Sequence, residues 1–269
     1  FNYYLVPLFH EAFSWHGVPL AYLIVLVLVL ALLLMLTDPE DAEADPNAET
    51  SVRVLLHRMQ TRRAGQLCGY FGVVAGSFFA LALWLPDYLS SQFDLSVDSG
   101  ARLAQWFVIP GALAQIVGGG FADRFGSARV VSRALMVCLM ALFVLSYPPM
   151  TLFIQGVDAT IRVEFALPMQ LEGVFVVTLG LAMGCTMGSL QRLVIVENRS
   201  VAAFVAGLLL VSACSVAFVL PVIFSSVNHW LGIRSAVFMI LFLLLVGCLF
   251  LFARESRRHE REHLLHPGI

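Results

Sequence analysis

Apolar residues in this chain gather into long uninterrupted runs divided by short polar stretches. A helix needs about 20 consecutive apolar residues to cross a hydrocarbon core roughly 30 Å thick. Seven runs of that kind predict seven spans: Val18–Leu36, Leu67–Leu85 (ended by Pro86), Leu103–Gly120, Val130–Tyr147, Gly173–Val194, Val201–Phe224 and Ala236–Phe252. In lipid every backbone N–H and C=O must be paired within the protein, so runs of this length are helices. A barrel would show alternating segments of about ten residues instead. The predicted fold class is an all-α membrane protein. Residues Phe1–Phe13 predict the end of one further helix.

The polar interruptions set the domain organisation. Residues 1–36 end on the span 18–36, and residues 37–63 form a hydrophilic linker. Residues 64–253 form a six-helix bundle, and 254–269 a charged tail. The linker opens acidic (Asp38, Glu40, Asp41, Glu43, Asp45, Glu49) and closes basic (Arg53, Arg58, Arg62, Arg63). Such a composition cannot bury a core. It predicts a solvated connection with a short amphipathic helix near Val52–Met59. One span before the linker and six after it predict the carboxy-terminal half of a larger protein. The chain also opens on Phe1, with no basic leader or cleavage site.

Composition agrees with lipid burial. Hydrophobic residues make up 59% of the chain and charged residues 13%, against about 25% charged in a soluble domain. Too little polar surface exists to coat a globule of this size. The net charge of −2 gives no basic excess that would attract nucleic acid. All five cysteines fall in apolar runs without metal-ligand spacing, so they read as small packing residues. No metal or cofactor is assigned. No nucleophile–base pair is visible either, so an enzyme is the least favoured class.

Charge placement orients the helices. The chain has no lysine, and its arginines are unevenly divided. With the linker in the cytoplasm, thirteen arginines fall on the cytoplasmic side and only Arg102, Arg162 and Arg234 on the other. That bias predicts a cytoplasmic linker and carboxy-terminus.

The most specific local motif is the turn from Gly119 to Arg129, with Asp123, Arg124 and Gly126 between them. Gly126 suits a positive φ. Asp123 suits a helix cap or a basic partner. The pattern G-x-x-x-D-R-x-G-x-x-R resembles the cytoplasmic loop of the major facilitator superfamily, and it follows the second span after the linker, as that family requires. A closer resemblance lies in Phe79–Leu89 (through Trp84, Pro86 and Asp87), Ile109-Pro110-Gly111 and Leu145–Pro149. In order and spacing these are similar to the nitrate/nitrite porter family. The resemblance implies twelve helices in two bundles, of which this chain supplies the carboxy-terminal six-helix bundle plus the last helix of the amino-terminal half. It implies alternating access and a small-anion site between the halves, and a bacterial inner membrane as location.

Three positions bear on the site. Where the family binds its anion with an arginine of the second helix of each half, this chain has Gln115. Glutamine keeps amide donors and loses the charge; bonding to a neighbouring helix accounts for it equally well. At the aromatic position early in the seventh helix stand Tyr70 and Phe71, which core packing also explains. The glycine-rich signature of the eleventh helix is reduced to Gly207.

Gly180, Gly184 and Gly188 share one helix face and predict close helix packing. Arg192 beyond them predicts a side chain snorkelling to the interface. His259-Glu260-Arg261-Glu262-His263 matches a zinc pattern but sits in a charged tail, and the sequon at Asn198 faces the cytoplasm; neither is assigned a role. No carboxylate falls mid-span, which favours anion exchange or facilitated movement over proton symport. The expected partners are therefore a small anion, the amino-terminal half of the same transporter and the lipid bilayer. The alternatives are a transporter of another small solute and a non-transporting membrane fragment.

Overall fold

Six helices follow one another in the order their apolar runs predict, each longer than its run. The computed structural model describes residues 19–20, 22–32, 34–35, 61–148, 150–155, 160–165 and 167–265. The helices are α1 (Thr61–Gln92), α2 (Val97–Phe125), α3 (Ser127–Leu145), α4 (Met169–Glu197), α5 (Ala202–Leu231) and α6 (Ala236–Leu265). All six are long and apolar enough to cross a membrane. The chain divides into two units, Phe1–His57 and Arg58–Ile269. The first contains a shorter apolar helix, Tyr22–Leu32, within the first predicted span. The amphipathic helix predicted near Val52–Met59 lies outside the described residues, as does the linker up to residue 60.

Local chemistry accounts for the helix ends. Ser96 caps α2 by accepting from the Ser99 backbone N–H at 3.3 Å, and Asp98 sits in the first turn, where the helix dipole favours a negative charge. Gly126 separates α2 from α3 at φ +88°, as its position in the motif predicts, and its N–H closes α2 on Ala122 O at 3.1 Å. Gly232 ends α5 in the left-handed region at φ +65°.

Three extensions correct the predicted boundaries. Pro86 does not end α1, which runs through it to Gln92; within a bundle, neighbouring groups satisfy the freed backbone polar groups. The tail residues 254–265 continue α6 as helix. The backbone of the His259–His263 pattern is thus helical, and its side chains lie outside the described residues. Third, α4 starts at Met169 and draws Glu172 into its first turn, where it is only 2% exposed. Its neighbour there is Tyr88 of α1, and Glu172 Oε1 has no hydrogen-bond partner among the described residues. The spans are therefore not free of buried carboxylates.

Between α3 and α4 the chain forms an antiparallel hairpin, β1 (Met150–Gln155) and β2 (Thr160–Phe165), with Met150 opposite Phe165 and Gln155 opposite Thr160. No strand was predicted there. The alternation in Thr160-Ile161-Arg162-Val163-Glu164-Phe165 is the signal that indicates one.

Packing fixes the arrangement of the six helices. Lipid tails are as apolar as leucine, so burial from water cannot hold helices together; close van der Waals contact must. α2 lies along α4, and α1 along α5, while α3 packs on α4 and α6. Phe107, Phe224 and Phe238 are fully buried, and Phe107 stacks on Phe78 at 4.8 Å. Leu83, Phe143, Phe218 and Phe250 are exposed, giving the outer surface an apolar coat suited to lipid.

Candidate functional site

The α2–α4 contact is the closest in the bundle and the most polar. Gly180, Gly184 and Gly188 of α4 face the backbone carbonyls of Phe107, Gly111 and Gln115 on α2. A β-carbon at any of the three would collide with that carbonyl. Gly118 of α2 lies reciprocally on the Cys185 backbone. Ser189 Oγ stands 2.9 Å from Gly118 O, so its hydroxyl can donate across the seam. Each glycine removes the side chain that would keep the two backbones apart.

This close approach brings Gln115 to its partner. With the Gln115 carbonyl against Gly188, the side chain reaches two residues past Ser189, and Gln115 Nε2 donates to Gln191 Oε1 at 3.1 Å. Both residues are partly buried. The bond consumes one donor of Gln115, and the Gln191 NH2 group keeps no hydrogen-bond partner among the described residues. Gln115, Gln191 and Arg192 line one cleft of about 400 Å³, which also includes Gly119 and Gly188. The cleft walls are otherwise aliphatic, with Ile116 and Ile195 among them.

Arg192 is tied down rather than snorkelling freely. Its Nε and Nη2 nitrogens engage Asp123 Oδ1 in the last turn of α2. Arg192 therefore joins the cleft to the motif loop: one end of the ion pair belongs to the cleft wall, the other to the segment Gly119–Arg129. Arg124 sits in the last turn of α2, where a cation complements the dipole, and Arg129 faces a separate groove with Arg133.

The remaining site candidates lie elsewhere. The Tyr70 hydroxyl donates to Glu255 of α6 at 3.0 Å, and its ring meets Phe252 edge-on at 5.7 Å. Phe71 is buried at 8% exposure. Neither lines the Gln115 cleft. Sequence reasoning assigned Gln191 no role, and only the α4 register shows why it matters: it follows the glycine face by three residues. Asn198 of the sequon is buried, with Nδ2 donating to Val194 O at 3.0 Å. Among the described residues no cluster of His, Cys, Asp and Glu could hold a metal.

The sequence matches the Major Facilitator Superfamily over residues 2–221. It is similar to a probable nitrate/nitrite antiporter of Thermus thermophilus, at 27% identity over 86% of this chain and 52% of that protein. It resembles a nitrite extrusion protein of Bacillus subtilis at 22% identity over 54% of this chain and 36% of the relative. A probable nitrate/nitrite transporter of Mycobacterium tuberculosis is 30% identical over 39% of this chain and 26% of the relative. The chain thus spans about half the length, or less, of the curated relatives it matches.

Proposed function

Since the chain belongs to the major facilitator superfamily, we propose that it forms one half of a membrane transporter moving nitrate or nitrite by alternating access. A second six-helix half would close the Gln115 cleft from the opposite side. The thirteen-to-three arginine bias supports a cytoplasmic linker and carboxy-terminus, in a bacterial inner membrane.

The observation that carries this reading is the shared cleft of Gln115, Gln191 and Arg192. A planar oxyanion leaving water needs replacement donors, and a guanidinium fork with two amide groups supplies them. Gln115 alone lacks the charge, and Arg192, on the neighbouring helix, provides it. Arg192 and Asp123 neutralise each other when the cleft is empty, so an entering anion competes with Asp123 for the guanidinium. Binding would then loosen the α2–α3 turn from α4, which couples the cleft to the motif loop. The names of the relatives supply the identity of the anion, and that of the Thermus protein favours exchange. Glu172, the group on which proton coupling would act, lies near the other end of α4 and outside the cleft.

The test is nitrate uptake into proteoliposomes loaded with nitrite, using the full-length protein. A charge-assisted hydrogen bond contributes about 1.5–3 kcal/mol, and 1.4 kcal/mol is tenfold. Arg192→Gln is therefore expected to lower kcat/KM by about 10- to 100-fold, while Gln115→Arg lowers KM. Unchanged uptake by Arg192→Gln removes that residue from the site. No uptake of either anion by folded protein transfers the reading to an uncharged small solute, which the Gln115–Gln191 pair would accommodate.

A further inference from the structure

A second groove, of about 390 Å³, opens between the end of α2, the start of α3 and the middle of α4. Arg129 and Arg133 line it, four residues apart and so on one face of α3. Its walls are apolar: Phe121, Phe125, Val137 and Leu181, each between 44% and 52% exposed. The ion pairs among the described residues are Arg63–Glu197, Arg102–Asp98, Arg192–Asp123 and Arg234–Asp87, so Arg129 and Arg133 have no carboxylate partner there. The nearest acid in sequence, Asp123, is already held by Arg192. The first turn of α3 carries no side-chain cap, which leaves its N–H groups to favour an anion as well. Below the arginines the same face of α3 continues as exposed Met136, Met140 and Phe143.

We propose that this groove binds an anionic phospholipid, with the phosphodiester on the Arg129 and Arg133 guanidiniums and an acyl chain along Phe121, Val137 and Leu181. Two guanidinium forks match the phosphate oxygens, and basic pockets between membrane helices select anionic headgroups. The apolar walls separate a lipid from free phosphate, because only the lipid fills them. Surface arginines attract anionic headgroups without a groove, so filling the groove while keeping both arginines is what separates a lipid site from surface attraction. This inference rests on the membrane placement of the bundle and is independent of the transported solute.

The experiment measures retention of fluorescent phosphatidylglycerol and phosphatidylcholine by the purified full-length protein in neutral detergent. Phosphatidylglycerol is expected to bind about tenfold more tightly. The preference is expected to vanish in Arg129→Gln/Arg133→Gln and to weaken in Arg129→Lys/Arg133→Lys, the variant that keeps the charge if the first fails to fold. Val137→Trp, which fills the groove with both arginines intact, is expected to lose the lipid. Arg102→Gln, in an existing ion pair with Asp98, is expected to keep it. Inorganic phosphate at millimolar concentration is expected not to displace the lipid. Equal retention of the two lipids, a preference that survives the double glutamine variant, or full displacement by phosphate would each overturn the assignment.

Discussion

The α2–α4 and α1–α5 seams are both built on glycines four residues apart, Gly180, Gly184 and Gly188 in one and Gly72 and Gly76 in the other. Each also has one serine reaching across: Ser189 Oγ lies 2.9 Å from Gly118 O, and Ser212 Oγ lies 3.0 Å from Cys68 O. What the glycines face differs. On α4 they face backbone carbonyls, with a further glycine, Gly111, opposite Gly184. On α1 they face mainly side chains, Ser212 opposite Gly72 and Val216 opposite Gly76. Backbone-to-backbone contact leaves room for long polar side chains to meet just past the contact, as Gln115 and Gln191 do. Where a glycine receives a side chain, that space is filled, and among the described residues no amide or charged pair links α1 to α5. The polar cleft therefore sits on the seam that is tighter at backbone level.

The comparison breaks most readily at Gly184. Gly184→Ala sets a methyl group against the Gly111 carbonyl, and backbone cannot rotate away as a side chain can. Overpacking of this kind costs about 3 kcal/mol, read as a fall in the midpoint of unfolding in detergent. Equal stability to the parent would show that the two helices slide apart at little cost and that the seam is not rigid. A smaller loss is expected for Gly76→Ala, where the new carbon meets Val216 Cβ at 2.5 Å and Ala217 N at 2.9 Å. The overlap is smaller than the 1.9 Å approach at Gly184, so a smaller shift of α5 relieves it; the cost should be about 1–2 kcal/mol, and uptake should survive better than in Gly184→Ala. The mildest change is Gly247→Ala on α6, where no atom lies within 4 Å of the added carbon. Helix propensity alone then acts, and the variant is expected to gain up to about 1 kcal/mol. A loss there comparable to Gly184→Ala would mean that glycines matter through flexibility rather than through close approach.

Much of the bundle is readable from the residues because membrane helices are set by length and apolarity, and those are local. The positive φ of Gly126 was legible for the same reason, since a turn between two spans needs one residue free of a β-carbon. Pro86 misled because its effect depends on neighbours: alone it ends a helix, and inside a bundle it is accommodated. Glu172 was missed because a boundary four residues early turns a loop carboxylate into a buried one. The hairpin was passed over because a six-residue alternation is weak beside runs of twenty. Tyr70 reads in the sequence as an aromatic of the first helix of the bundle, yet its hydroxyl is directed by Glu255, 185 residues away.

Sequence alone determined that the chain spans a membrane as helices, where those helices lie, and that Gln115 brings a polar, uncharged side chain into an apolar run. Each follows from the energy of polar backbone in hydrocarbon or from a residue's own donors. Tertiary structure decided which glycines carry a contact, that Gln115 pairs with Gln191, that Asp123 holds Arg192 beside the same cleft, and that Arg129 and Arg133 have no carboxylate partner among the described residues. These depend on the register between helices distant in sequence, which van der Waals fit selects in the assembled bundle and no single helix encodes.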